Sequence, residues 1–88
     1  ALKFNLNAAY PNPFNPSTSF SIDVPSAGYL TVKVFNLSGQ LVGVLSSGFV
    51  NSDTYNFTWD ANNMATGMYV INAEFEGQNI THNVSLIK

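Results

Sequence analysis

At 88 residues the chain can build one small hydrophobic core and is too short for two. Charged residues make up 9% of it, against about 25% in an ordinary soluble protein, while 45% is hydrophobic, so neutral Asn, Ser and Thr must supply the polar surface. Three lysines, no arginine and a net charge of −2 exclude the basic footprint needed for nucleic acid or an anionic membrane surface, and the lack of Cys excludes disulfides, thiolate catalysis and Cys-based metal sites.

Residues 4–9 read as a first strand. The run after it, Tyr10-Pro11-Asn12-Pro13-Phe14-Asn15-Pro16-Ser17-Thr18, holds three of the four prolines within six residues. Proline fixes its own φ, lacks an N–H and pushes the preceding residue out of the α region. Tyr10, Asn12 and Asn15 are therefore expected to be extended, and the segment to form a stiff, mostly polyproline-like corner. Ser19-Phe20-Ser21-Ile22-Asp23-Val24 alternates polar and apolar, as a half-buried strand does. Val24-Pro25-Ser26-Ala27-Gly28 reads as a turn, and residues 29–35 as a strand with Leu30, Val32 and Val34 on one face. Asn36-Leu37-Ser38-Gly39 is a hairpin loop. Residues 40–45 return antiparallel, Gly43 marks a bulge or a close approach, and Ser46-Ser47-Gly48 closes the strand.

After a loop through Phe49 and Asn51, residues 55–60 alternate and set Tyr55, Phe57 and Trp59 on a face assigned to the core. Residues 61–67 are too few and too Asn-rich for a stable helix and suit a single turn. Residues 68–76 place Tyr69, Ile71, Ala73 and Phe75 on one side and Asn72, Glu74 and Glu76 on the other. Glu76-Gly77-Gln78 signals a tight turn into a last strand over 79–87. Seven short strands without a helical period predict an all-β antiparallel β-sandwich, and the Cys pair of antibody domains is absent, so any match to those is to the architecture only. With so few charged side chains to guard strand edges, an edge covered by a partner domain or prone to weak association is expected.

The proline run, Val34-Phe35-Asn36-Leu37-Ser38-Gly39-Gln40, Trp59-Asp60, Ala65-Thr66-Gly67-Met68-Tyr69 and a β-like ending at Lys88 follow in a fixed order and spacing. Together they resemble the type A C-terminal sorting domain of proteins exported by the type IX (Por) secretion system of Bacteroidetes-type bacteria. The resemblance spans nearly the whole chain. It implies a single immunoglobulin-like domain, residues 1–88, excised from the end of a larger secreted protein. It also implies a non-enzymatic address with no catalytic residue, cofactor or metal. The partners it implies are the outer-membrane secretion machinery, its C-terminal signal peptidase and the upstream cargo domain of the same chain. Export would run through the periplasm to the cell surface or the extracellular medium, followed by cleavage or surface attachment. The family pattern places recognition on Tyr10, Pro11, Asn12, Pro13, Phe14, Asn15, Pro16 and Ser17, and on the final Ser85, Leu86, Ile87 and Lys88. Related sequences carry more basic residues in that last strand, where this chain has Thr81-His82-Asn83 and Lys88 alone.

No apolar run approaches a membrane span, and no basic-then-apolar amino end serves as an export signal. A signal peptide is therefore expected elsewhere in a longer chain, in keeping with the lack of an initiator Met. His82 is the single histidine and, sharing a face with Ile80, Val84 and Leu86, reads as a packed or edge residue. Asp23, Asp53, Asp60, Glu74 and Glu76 offer carboxylates, and Glu74 and Glu76 lie about 7 Å apart on one strand face, but as solvated surface charge. Asp60-Ala61-Asn62-Asn63 has oxygen ligands for a hard cation yet lacks the EF-hand glycine and terminal glutamate, so turn capping explains it better. The glycosylation pattern is met at Asn36, Asn56, Asn79 and Asn83, as expected by chance in a domain so rich in these residues. Gly39 and Gly67 lack the context of a phosphate cradle.

The alternative function is an accessory carbohydrate- or cell-surface-binding module of an extracellular enzyme, with Tyr10, Tyr29, Phe49 and Tyr55 as a sugar platform. An exposed coplanar row of rings would favour it, and burial of Trp59, Tyr55 and Phe57 would weaken it. A third reading is a passive structural domain similar to those of flagellar hook-cap proteins.

Overall fold

The computed structural model of the chain describes residues 3–87. Strict alternation decides the layers. In β2 (Ser17–Val24), Thr18, Phe20, Ile22 and Val24 are buried, as are Leu30, Val32 and Val34 in β3 (Gly28–Asn36) and Tyr69, Ile71, Ala73 and Phe75 in β6 (Gly67–Phe75). Each strand buries one face, so two sheets must close on each other. With β1 (Asn5–Leu6), β4 (Leu41–Val50), β5 (Asp53–Asp60) and β7 (Gln78–Leu86), the described residues form a β1-β2-β5 sheet and a β4-β3-β6-β7 sheet, every pairing antiparallel. The chain changes sheets between β2 and β3, β4 and β5, and β5 and β6, which makes the expected immunoglobulin-like sandwich.

Turn chemistry fixes the two hairpins. Asn36 Oδ1 accepts the N–H groups of Ser38 and Gln40 at 3.0 Å each, and Gly39, at φ 83°, closes the β3–β4 loop in a conformation that favours glycine. Glu76 and Gly77, at φ 48° and 80°, form the two-residue β6–β7 turn, both central residues on the positive-φ side that this tight hairpin requires. At the β5–β6 corner Tyr69 Oη donates to the Ala65 carbonyl at 2.7 Å, a device typical of immunoglobulin-like sandwiches.

The structure differs from the sequence expectations at several places. The first strand shrinks from residues 4–9 to β1, because Leu6 opposite Ile22 and Tyr10 opposite Ser19 leave four steps on one chain against three on the other. The proline segment is a succession of bends, with cis peptide bonds before Pro11, Pro13 and Pro16. It leaves the first sheet at Tyr10 and reaches β7 at Phe14, so its course is set by a crossing between sheets, which lie about 10 Å apart. β4 continues through Ser46, Ser47, Gly48 and Phe49 to Val50, since Ser47 lies opposite Thr31 and Gly48 opposite Leu30; the loop is reduced to Asn51 and Ser52. The register shifts fall on Val42 and Leu45, which turn towards the core; Gly43 itself pairs with Val34 and is neither the bulge nor a close approach, since an added Cβ would make only an ordinary contact, 3.6 Å from Trp59 Nε1. Glu76 belongs to the turn, not to the strand face of Glu74. Of the β5 face, Trp59 is buried while Tyr55 and Phe57 are half-buried, because β5 is an edge strand.

Gly28 opens β3 against the Phe75 ring, where an added Cβ would meet ring atoms at 2.7 and 2.9 Å. Glu76 Oε1 would also be in the way, and Phe4 packs on the Phe75 ring with centroids 5.5 Å apart, so the ring is not free to move alone. Gly28→Ala should therefore cost about 1–3 kcal/mol in urea denaturation through overpacking. A cost below measurement error would mean that the Phe4–Phe75 pair yields freely.

Candidate functional site

Prolines at 11, 13 and 16 remove three N–H donors and keep only their carbonyls, so donors must come from the residues between them. Asn12 does so with its side chain. Its Oδ1 accepts the Ser85 N–H at 3.0 Å, and its Nδ2 lies 3.4 Å from the Asn83 carbonyl. Phe14 uses its backbone, donating to the Ser85 carbonyl at 2.9 Å and accepting from the Ile87 N–H at 3.0 Å. Four consecutive polar groups on the free edge of β7 are thereby matched, which seals that edge over residues 83–87.

The other ends of the corner are tied as well. Tyr10 exchanges both backbone bonds with Ser19 of β2 at 2.8 and 3.0 Å, the buried Thr18 hydroxyl donates to the Pro11 carbonyl at 2.8 Å, and Ala61 N–H donates to the Pro16 carbonyl at 2.9 Å. Inside, the Phe14 ring is 2% exposed and packs 5.5 Å from Trp59, which meets Tyr69 edge-on at 5.1 Å. The corner thus joins β2, β7 and the β5–β6 link at one end of the sandwich.

The two segments expected to carry recognition are distant in sequence and adjacent in space. Pro11, Asn12, Pro13 and Asn15 are exposed, Pro16, Ser17 and Ser85 half-buried, and Phe14 and Leu86 buried. Tyr10 at 81% and Ile87 at 51% exposure are the large apolar groups turned to solvent there. Lys88 lies outside the described residues. No residue from 10 to 17 or from 83 to 87 is charged, so what the patch offers is shape, amide and carbonyl groups and two apolar side chains.

The remaining candidates do not converge. Asp60 Oδ1 accepts the Asn62 N–H at 3.0 Å, as turn capping requires, and the described residues contain no group of three His, Asp or Glu placed to hold a metal ion. His82 is half-buried opposite Ile71, and Glu74 is exposed opposite Thr31. Tyr29 and Phe49 face each other on the outer side of the second sheet, Tyr10 stands on the first sheet, and Tyr55 donates its hydroxyl to the Asn51 carbonyl at 2.7 Å. The exposed rings are split between the two sheets and form no coplanar row.

A family model described as the secretion system C-terminal sorting domain matches residues 8–87. The chain belongs to that family. Searches of curated proteins and of solved structures return no match. The sorting domain acts as a type IX secretion signal, which entails contact with the secretion machinery, a cargo chain, and export to the cell surface or extracellular space. The matched span begins just before the proline corner and ends at Ile87, so it contains both halves of the clasped patch. Sequence reasoning missed Asn83 and the clasp itself. An Asn between two prolines was the available signal, since its side chain must supply what the backbone cannot.

Proposed function

We propose that the sorting domain is read as a folded, composite address: the corner from Tyr10 to Ser17 together with the end of β7 at Ser85, Leu86 and Ile87, extended by Lys88. The reader is the outer-membrane secretion machinery. Its C-terminal signal peptidase then removes the domain or exchanges it for a surface attachment, after the upstream cargo has passed through the periplasm. The observation that carries this reading is the pairing of Asn12 with Ser85, which unites residues 73 positions apart in one uncharged surface. An address so poor in charge is recognised by shape and backbone groups, and a clasped corner has little conformational entropy left to lose on binding.

The test is a fluorescent reporter placed after a signal peptide and before this chain, in a type IX-competent strain and a secretion-deficient one. Export is expected only in the competent strain. Asn12→Ala should lower that export about tenfold, equivalent to about 1.4 kcal/mol of recognition, while the exposed position keeps the loss of fold stability near 1 kcal/mol. Periplasmic retention of the folded wild-type domain in both strains would overturn the reading. Undiminished export of Asn12→Ala would remove the corner from the address.

A further inference from the structure

We infer that the open edge of β4 pairs antiparallel with β4 of a second copy about a two-fold axis, joining two four-stranded sheets into one continuous sheet. The inference is independent of the recognition patch, which lies on the opposite edge.

β4 is the outer strand of its sheet, ten residues long, and carries no Asp, Glu, Lys, Arg or Pro. Folded proteins normally guard such an edge with charge, proline, a bulge or a covering segment. Two other edges are guarded, β7 by the corner over 83–87 and β1 by having two residues; β5 has Asp53 and Asp60 only at its ends, but its rings Tyr55 and Phe57 are half-buried and it presents no exposed aromatic pair. On β4 the irregularities at Val42 and Leu45 protect the first half alone. Residues 46–50 run in regular register, from Ser46 opposite Val32 to Val50 opposite Gly28. Within that stretch Phe49 is 72% exposed beside the exposed Tyr29, a cluster of apolar surface at an unprotected edge.

A second copy fits this edge because the strand is complementary to itself. Pairing centred on Gly48 sets Ser47 opposite Phe49 of the other copy and Ser46 opposite Val50. Outward-facing residues then meet outward-facing ones and inward meet inward, as a sheet requires. No charge meets its like, although each chain carries −2 overall. At the axis stands Gly48, which pairs with the inward-facing Leu30 and brings no side chain to the contact. A charge-bearing strand could make the same main-chain bonds but would find no opposite charge here to offset the partial desolvation of its own, a cost that a second β4 does not bring.

Sedimentation equilibrium of this chain from about 10 μM to about 1 mM brackets the affinity of so small an interface and should show a monomer–dimer equilibrium. Ser47→Lys with Phe49→Lys places Lys opposite Lys twice and should weaken the dimer at least about tenfold, whereas Ser47→Lys with Phe49→Glu places Lys opposite Glu and should restore it to within about threefold. Both residues are exposed, and the Lys/Glu variant controls for any shared loss of stability. A monomer at every concentration overturns the inference. So does a dimer indifferent to the Lys/Lys variant, which must form elsewhere, or one lost equally in both variants, which excludes this register.

Discussion

Phe14→Ala should remove about 3–5 kcal/mol of unfolding free energy, the cost of emptying a buried aromatic site. A chain of this length is expected to be stable by about 4–13 kcal/mol at the usual 0.05–0.15 kcal/mol per residue, so the substitution takes a large share. The position admits no inexpensive repair. The ring lies against Trp59, and its backbone is bonded on both sides to Ser85 and Ile87, so the chain cannot swing inward to fill the void without breaking the seal on β7. Phe14→Leu, which keeps most of the volume, should cost about 1.5 kcal/mol or less. Urea denaturation of the three proteins measures both values. A cost for Phe14→Ala under about 1 kcal/mol would show that the corner is not anchored by its ring. Export should fall with the folded fraction in this variant, in contrast to Asn12→Ala, which spares the ring and acts on the exposed face.

That contrast between ring and amide also separates what the residues announced from what they concealed. Phe14 sat in a run rich in proline, and proline declares where a ladder cannot form without declaring which way the chain will turn. Its burial comes from the crossing between sheets, which no local pattern encodes. Asn12 and Ser85 are 73 positions apart, beyond the reach of any periodicity. Where one face is buried along a whole strand, alternation is sufficient for Phe20, Ile22 and Val24 of β2 and for the inner faces of β3 and β6, while the buried Thr18 falls in the proline run, outside the alternating stretch. It failed in β4 for two reasons. The shifts at Val42 and Leu45 break the phase, and Ser46, Ser47 and Gly48 are small residues that signal a turn in isolation yet lie in register opposite Val32, Thr31 and Leu30. At Glu76 the alternating pattern outruns the strand by one residue, because the positive-φ turn claims it. The family resemblance rests on blocks of sequence, and the sandwich brings three of them together: the proline run, Trp59 and Tyr69 meet at one end of the core.

Trp59→Ala is the second large effect, about 3–5 kcal/mol on the same reasoning, and its value lies in how it combines with the first. Trp59 stands between Phe14 at 5.5 Å and Tyr69 at 5.1 Å, with Gly43 of β4 close to its indole nitrogen. Both substitutions open the same space, and a site emptied by one has less left to lose to the other. The double variant should therefore be less destabilised than the sum of the singles by about 1 kcal/mol or more, whereas Phe14→Ala with Gly28→Ala, in separate parts of the core, should add to within about 0.5 kcal/mol. Since Trp59 is the chain's single tryptophan, its fluorescence in Phe14→Ala reports directly whether water reaches the vacated site. A red-shifted emission with the fold retained would mean that the corner has lifted from β7. Unchanged emission with additive costs would mean that the two rings are held independently, and that the corner's attachment to β7 rests on Asn12 and the backbone of Phe14.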